Sequence, residues 1–312
     1  MMLNISLTQM EYIVAVDTHR HFVTAAEHCF VTQPTLSMQI KKLEDQLGVT
    51  IFDRTKQPII PTDAGAKIIK QARIILNEVE RINDILQEYR DTVAGELKIG
   101  IIPTLAPYLV PRFIGNFYKA FPNVKLNIKE MLTQDILKAL RNDSLDVAIL
   151  VTPLNESEVE EIPLFYEELF LYLNKNQVNK IQNPISPEIL KGERIWLLSE
   201  GHCFRNQMMN LCKIGKNNSL PGFDFESGSL ETLRKIVDTE GGMTVLPELG
   251  TDQISESQLR QIGHGKHYRE ISLVYTRNFA KKKLIKVLEE ELKKSVPSSM
   301  HSAENGEIVE WK

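Results

Sequence analysis

An abrupt change in the hydrophobic pattern near residue 95 constrains the fold more than any other feature of this sequence. Before that point, apolar residues recur at helical spacing. After it, extended apolar runs such as 97–102 and 145–150 alternate with segments of helical spacing such as 107–121. This alternation is typical of an α/β domain with a mainly parallel sheet. At 312 residues the chain is long enough for two or three domains, each with its own core.

The first 62 residues predict a winged helix-turn-helix domain that binds DNA. A short helix and a turn at 31–33 precede a helix that begins near Pro34 and carries a polar face. In that arrangement the second helix enters the major groove of DNA. Two short extended pieces follow as a wing, with Arg54 placed to meet phosphate. The net charge is −4 and the charges nearly balance over residues 1–73, so the pattern rather than the charge indicates DNA.

A narrow apolar seam within residues 63–94 predicts a long helix that forms a dimer and ends in a hinge. The seam residues follow steps of three and four, as in a coiled coil. They are Ile68, Ile75, Val79, Ile82 and Leu86. The alternative is a helix that packs on its own domain. A dimer would present two helix-turn-helix domains to two half-sites of the DNA.

Residues 95–294 are expected to form two lobes, since the strands and helices after residue 165 form a second group. Lobe I would contain 95–164 and 268–294, and lobe II would contain 165–267. Residues 295–312 are polar and are expected to be disordered. The chain has no apolar run long enough to cross a bilayer and no signal-peptide pattern. Its three cysteines are too few for a secreted disulfide scaffold, which indicates a cytoplasmic protein.

Two of the three cysteines lie in one stretch, Gly201 to Cys212, which suggests redox chemistry. His202 and Arg205 flank Cys203, and nearby positive charge lowers the pKa of a thiol. Apolar residues after Cys203 recur at helical spacing, so the two cysteines would be about 13 Å apart in a helix. A disulfide needs Cα atoms within about 7 Å, so pairing would unwind that helix. The alternative is that both cysteines are buried packing residues.

The N-terminal segment resembles the LysR-type transcriptional regulators. The resemblance rests on FVTAAE at 22–27, VTQPTLS at 31–37, IKKLE at 40–44 and PTDAG at 61–65. It implies that one set of residues lies at or near the DNA, namely Thr32, Gln33, Pro34, Thr35, Ser37, Gln39, Lys42 and Arg54. It also implies a two-lobed effector domain that resembles a periplasmic binding protein. Thr104 and Thr133 would then face a ligand cleft between the lobes.

The cysteine stretch resembles that of the hydrogen-peroxide sensors in this family, with Gly-His-Cys-x-Arg-x-Gln and a second cysteine nine residues after the first. The resemblance implies that Cys203 is the peroxidatic thiol and Cys212 the resolving thiol of a reversible disulfide. Four side chains would orient the peroxide: His202, Arg205, Thr104 and Thr133. Two positions depart from the pattern, since Asp224 replaces a histidine and Phe204 a leucine.

The resemblance implies a regulator of oxidative-stress genes that is not an enzyme and uses no cofactor or metal. Its partners would be promoter DNA, RNA polymerase and hydrogen peroxide as the signal. A dithiol reductant of the glutaredoxin or thioredoxin type would reset it, and copies of the chain would form a homodimer or homotetramer. Two alternatives stay open. One is a LysR-type regulator of a small metabolite with incidental cysteines, and the other is a thiol peroxidase that carries a DNA-binding domain.

Overall fold

The computed structural model describes residues 5–89, 93–190, 193–213, 227–277, 279, 281–304 and 306–311. The chain forms two compact units that divide near residue 93. The first unit contains the helix-turn-helix pattern, and the second contains the alternation of strands and helices. Among these described residues, no helix is both long and apolar enough to cross a membrane.

The described part of the N-terminal unit contains four helices and a two-stranded wing. The helices are α1 (Leu7–His19), α2 (Phe22–His28), α3 (Gln33–Leu47) and α4 (Asp63–Tyr89). The wing is an antiparallel pair of β1 (Phe52–Asp53) and β2 (Ile60–Pro61). Leu36, Ile40 and Leu43 of α3 are at most 1% exposed and form the core with α1, so the other face of α3 points away from the core.

Local sequence sets the ends of α1 and α3. Ser6 and Gln9 form a reciprocal capping box at the start of α1. The Thr32 hydroxyl accepts a hydrogen bond from the amide of Thr35 at 3.4 Å, which caps the start of α3. Gly48 ends α3 at φ +69°, in the left-handed region that favours glycine.

Helix α4 has 27 residues and a length of about 40 Å. Ile69 and Ala72 are 2% exposed and pack into the core of the helix-turn-helix domain. Farther along, Ile82 and Leu86 are 57% and 51% exposed. Of the predicted seam, Ile68 is partly buried against that core, while Ile82 and Leu86 stay uncovered in the single chain. Its role in dimerisation remains a prediction.

The second unit is a two-lobed α/β domain, and its longest sheet has the strand order β4-β3-β5-β9-β6-β7. The strands are β3 (Gly95–Ile101), β4 (Val124–Glu130), β5 (Val147–Thr152), β6 (Val159–Leu173), β7 (Met243–Pro247), β8 (Leu259–Arg260), β9 (Lys266–Thr276) and β10 (Gly306–Ile308). The helices are α5 (Ala106–Ala120), α6 (Thr133–Arg141), α7 (Pro187–Leu190), α8 (Cys203–Cys212), α9 (Leu230–Glu240) and α10 (Lys282–Lys294).

The sheet is mixed, so the prediction of a mainly parallel sheet is wrong. β3 pairs in parallel with β4 and β5, but β9 pairs antiparallel with β5 and β6, and β6 pairs antiparallel with β7 and β8. The cause is that β6 carries the chain from one lobe to the other and β9 carries it back. The predicted lobe boundary after residue 164 lies inside β6, a continuous strand of 15 residues.

The prediction of a disordered tail is also wrong for the described part of residues 295–312. A 3-10 helix covers Ser298–His301, and β10 pairs in parallel with β9. Met300, Val309 and Trp311 are buried, with at most 8% exposure. A few apolar side chains anchor this mainly polar segment, so its average composition did not reveal that it folds.

Candidate functional site

A single helix, α8, begins on Cys203 and ends on Cys212. Both side chains are buried, with 6% and 0% exposure, and both thiols are free. The helix predicted for this stretch is therefore confirmed. Nine helical steps place the two Cα atoms about 13 Å apart, and a disulfide requires about 7 Å or less. The two sulfurs cannot bond while α8 is intact.

The ends of α8 are weakly supported by their own sequence. His202 is the N-cap residue, and its side chain makes no capping hydrogen bond within the described residues. At the other end, Lys213 adopts φ +51° in the left-handed region without being a glycine. The stability of α8 must therefore come mainly from its surroundings.

The buried face of α8 supplies that support. Phe204, Met208 and Cys212 are fully buried in the core of lobe II. They share this core with residues of α9 and of strands β6 and β7, among them Leu171, Leu230, Leu233, Val237 and Val245. Three full side chains removed from water stabilise a packed element by several kcal/mol, at roughly 1.5–3 kcal/mol for a large apolar side chain.

The surroundings of the Cys203 thiol act on its pKa in opposite directions. Burial raises the pKa of Cys203, and this effect dominates. The Thr133 hydroxyl and the Arg269 guanidinium both lower it, in that order. The Thr133 hydroxyl is buried and completes no hydrogen bond within the described residues, although it lies close enough to act on the thiol. The resting group is a thiol with two groups in place to stabilise its thiolate.

Arg269, on β9, is a site residue that the sequence analysis missed. It is fully buried and paired with the equally buried Glu167, 2.7 Å from Nη2 to Oε2. It also donates to the Thr104 hydroxyl at 2.9 Å and to the Thr104 carbonyl at 3.1 Å. Its guanidinium stacks over the Phe204 ring at 5.0 Å. The local sequence does not single it out, because Lys266 and Glu270 of the same strand are also charged.

The four residues predicted to orient peroxide do not all meet at the thiol. Thr133 acts directly on Cys203, and Thr104 is joined to the same environment through Arg269. Arg205 instead donates to the carbonyl of Leu198 at 2.6 Å, so Arg269 is the cation that acts on the thiol.

His202 is 8% exposed, and burial lowers its pKa, which favours the neutral imidazole near pH 7. It therefore supplies no fixed positive charge at the start of α8. Asp224, which departs from the family pattern, lies outside the described residues.

The Cys212 thiol also ionises less readily than an exposed thiol. Burial in the lobe II core raises the pKa of Cys212 to about 12. The third cysteine, Cys29, is half-buried in the N-terminal unit, and burial followed by the Glu11 carboxylate raises its pKa. Within the described part of the chain, no group of three histidine, cysteine or acidic residues could hold a metal ion.

The residues predicted to contact DNA lie at the start and along one side of α3. Thr32, Pro34 and Lys42 are exposed, and the half-buried ones are Gln33, Thr35, Ser37 and Gln39. Arg54 pairs with Glu44 at 3.0 Å and stacks over the Phe22 ring at 5.3 Å, so the wing guanidinium is held in position. Contact with DNA remains a prediction for each of these residues.

Two family descriptions match the chain. "LysR substrate binding domain" matches residues 90–297, and "Bacterial regulatory helix-turn-helix protein, lysR family" matches residues 7–66. The chain belongs to the LysR family. The predicted arrangement of a helix-turn-helix domain followed by an effector domain is therefore confirmed.

Relatives of this LysR-family chain include named peroxide regulators. It is 37% identical over 249 residues to the hydrogen peroxide-inducible genes activator of Dickeya chrysanthemi, covering 80% of this chain and 81% of that protein. It is also 37% identical over 245 residues to the DNA-binding transcriptional dual regulator OxyR of Escherichia coli K12, covering 78% of this chain and 79% of that protein.

Solved structures of peroxide regulators also match this chain. A full-length OxyR variant from Pseudomonas aeruginosa matches with a TM-score of 0.76 and 33% identity, covering 92% of this chain and 97% of that one. An OxyR mutant from Corynebacterium glutamicum with bound hydrogen peroxide matches with a TM-score of 0.58 and 25% identity, covering 93% and 92%. The predicted resemblance to the peroxide sensors of the LysR family is confirmed. The LysR domain match ends at residue 297, so β10 lies beyond it.

Proposed function

We propose that this LysR-family chain is a DNA-binding transcriptional regulator that senses hydrogen peroxide through a reversible Cys203–Cys212 disulfide. The observation that carries the proposal is α8, a buried helix with one cysteine at each end that cannot remain helical once the two sulfurs bond. The names of the relatives support peroxide as the signal and peroxide-inducible genes, which we take to be oxidative-stress genes, as the target.

The first step oxidises Cys203. Its sulfur attacks one oxygen of the peroxide, the O–O bond breaks, and the other oxygen leaves as water with the proton from the thiol. The product is a sulfenic acid. Thr133 and Arg269 stabilise negative charge on the sulfur. The Thr104 hydroxyl accepts a hydrogen bond from Arg269 and donates its own proton to the departing oxygen.

The second step forms the disulfide. The sulfur of Cys212 attacks the sulfenic sulfur, and the hydroxyl group leaves as water with the Cys212 proton. The nucleophile is the thiolate, and burial holds the pKa of Cys212 at about 12. The C-terminal end of α8 must therefore open to solvent before Cys212 can react. The order of events is sulfenic acid, local unwinding, and then disulfide.

The disulfide transmits the signal by keeping residues 203–212 out of the helical form. The change in lobe II alters contacts between copies of the chain, for which Ile82 and Leu86 of α4 offer exposed apolar side chains. The homodimer or homotetramer then changes how it binds promoter DNA and how it contacts RNA polymerase. A glutaredoxin or thioredoxin type dithiol resets it by exchange, which places the cycle in the cytoplasm.

Non-reducing peptide mapping before and after a small dose of hydrogen peroxide tests the chemistry. We expect a Cys203–Cys212 linkage in the wild type, none in Cys203→Ser, and a trappable sulfenic acid in Cys212→Ser. Cys29→Ser is the matched control and should keep the linkage. If Cys203→Ser keeps its normal promoter response, the chain instead responds to a metabolite. Steady peroxide consumption with a reductant would indicate a thiol peroxidase rather than a sensor.

Two substitutions in α3 test DNA recognition. Lys42→Ala should weaken binding to all DNA sequences and reduce the magnitude of the salt slope by about 1. Gln33→Ala should lose roughly 1–3 kcal/mol on the specific site only, because an amide reads base edges. Equal losses on specific and random DNA for both variants would show that α3 does not read sequence.

A further inference from the structure

The described residues 306–311 lie along α8 and are held by its side chains. Three side-chain amides of the helix donate hydrogen bonds to three successive backbone carbonyls of this segment. Asn206 donates to Trp311 at 3.0 Å, Gln207 to Val309 at 2.8 Å, and Asn210 to Glu310 at 3.0 Å. The three amides therefore recognise an extended backbone, because all three of these hydrogen bonds go to main-chain carbonyl groups.

The same segment, here called the strap (306–311), is fixed on its other side as well. Its β10 residues pair in parallel with β9, and the Val309 amide donates to the Tyr268 carbonyl at 2.8 Å. Val309 belongs to the lobe II core that also contains Cys212. The Trp311 indole donates to the carbonyl of Pro153 at 3.0 Å. The strap therefore connects α8 to β9, the strand that carries Arg269.

The three donors match the strap only while α8 is a helix. Residues 206, 207 and 210 project toward one side of a helix because i and i+4 are neighbours on its surface. Unwinding of residues 203–212 would scatter these amides and displace Cys212 from the core that it shares with Val309. Helix and strap therefore support each other.

We infer that α8 forms a binding site for an extended peptide backbone, occupied by the strap in the reduced protein and vacated when the Cys203–Cys212 disulfide forms. This inference rests on the proposed function. Since two linked equilibria affect each other equally, a strap that prefers the helix must oppose oxidation as much as oxidation opposes the strap. The strap thereby sets how readily the sensor is oxidised, and oxidation frees the strap and the β9 edge that it covers.

Hydrogen exchange on the unmodified full chain tests release of the strap. The reduced protein is compared with the protein oxidised by the disulfide form of dithiothreitol, which takes up two electrons and two protons as the two thiols lose them. We expect the Val309 amide to exchange at least tenfold faster after oxidation, while the Ile149 amide in β5 keeps its rate. Trp311 fluorescence should shift to longer wavelength, with Trp196→Phe removing the other tryptophan signal.

Redox titration of variants tests the effect of the strap on oxidation. Asn206→Ser/Asn210→Ser removes two donors at exposed positions and keeps helix propensity similar. It should raise the equilibrium constant for disulfide formation about threefold, which lowers the midpoint potential by about 15 mV. A chain that ends at Ala303 should raise it tenfold or more, about 30 mV. Glu307→Ala, at an exposed strap position, is the control and should not shift.

The outcomes separate the two proposals. If the disulfide forms but the Val309 exchange rate and the midpoint potentials stay unchanged, the strap inference is overturned and the proposed function stands. If neither peroxide nor the dithiol couple produces a Cys203–Cys212 linkage, the proposed function fails and the inference fails with it. If the shortened chain does not fold, the double serine variant and the unmodified chain still decide the matter.

Discussion

Helices α3 and α8 carry the predicted functional residues of their two units, and their ends are built differently. At the start of α3 the Thr32 hydroxyl caps the Thr35 amide, and Gly48 ends the helix in the left-handed region. At the start of α8, the His202 side chain makes no cap among the described residues, and Lys213 occupies the left-handed position instead of glycine. Sequence-local interactions define α3, whereas α8 depends on its neighbours.

This difference fits the two proposed roles, DNA recognition by α3 and oxidative unwinding of α8. A side-chain cap contributes about 1 kcal/mol, and a left-handed conformation costs roughly 1–2 kcal/mol for a residue other than glycine. A helix of ten residues is marginal in water without tertiary contacts. A helix that enters DNA must keep one shape. A helix that unwinds on oxidation can instead depend on tertiary contacts, because these contacts are lost cooperatively when one of them breaks.

The largest expected effect concerns Arg269, which supports α8 through Phe204. Arg269→Met would leave the fully buried Glu167 without its cation, and breaking a buried pair costs about 3–5 kcal/mol. Loss of the guanidinium would also raise the pKa of Cys203 further. Urea unfolding of the reduced protein measures the loss in free energy of unfolding. Amide hydrogen exchange should accelerate more in α8 than in α3. The double variant Arg269→Met/Glu167→Gln should recover part of the stability.

If Arg269→Met lost no stability, or if α3 loosened as much as α8, the claim that α8 depends on tertiary contacts would be wrong.

The next effect is a dependence on pH, which is smaller per pH unit but extends over about three units. Burial raises the pKa of Cys212 from 9.0 to about 12 in the folded protein, so the unfolded chain releases this proton first as pH rises. The stabilising contribution is complete below pH 9.0 and is lost between pH 9.0 and about 12. The slope should not exceed about 1.4 kcal/mol per pH unit for one thiol. Urea unfolding under reducing conditions measures it.

Cys212→Ala removes this thiol and should flatten that part of the stability profile, at the cost of a smaller buried side chain. Cys29→Ala serves as the comparison, since that thiol is only half-buried in the other unit. An unchanged slope in Cys212→Ala would mean that the thiol is accessible to solvent in the reduced protein.

The sequence predicted those parts of the molecule that depend on local patterns. The apolar periodicity of α3, the long helix α4 and the helical spacing between Cys203 and Cys212 are local patterns, although α8 needs tertiary contacts to be stable. The alternation after residue 95 predicted the α/β class. It could not give strand directions, because these depend on β6 and β9 crossing between the lobes.

The missed features depend on contacts between distant parts of the chain. Arg269 meets Glu167 and Thr104 only because β9 lies beside β6 in the folded sheet. Arg205, close to Cys203 in sequence, turns to the Leu198 carbonyl. Proximity in sequence therefore suggested the wrong cation for the thiol. The strap was missed because its three hydrogen bonds with α8 go to backbone carbonyls. Every residue has such a carbonyl, so the strap sequence does not reveal these bonds.

The smallest expected effect is the sharpest test of the contrast between the two helices, because it uses the same C-cap position in each. Gly48→Ala should cost about 1 kcal/mol in the N-terminal unit, since an added Cβ has open space and only the left-handed backbone is strained.

Lys213→Gly should stabilise reduced α8 by about 1 kcal/mol and so lower the disulfide equilibrium constant about fivefold. The Lys213–Glu188 pair is exposed at 3.7 Å and contributes little. Lys213→Ala keeps the strain without the charge and should leave oxidation unchanged, so an equal shift in both variants would assign the effect to charge.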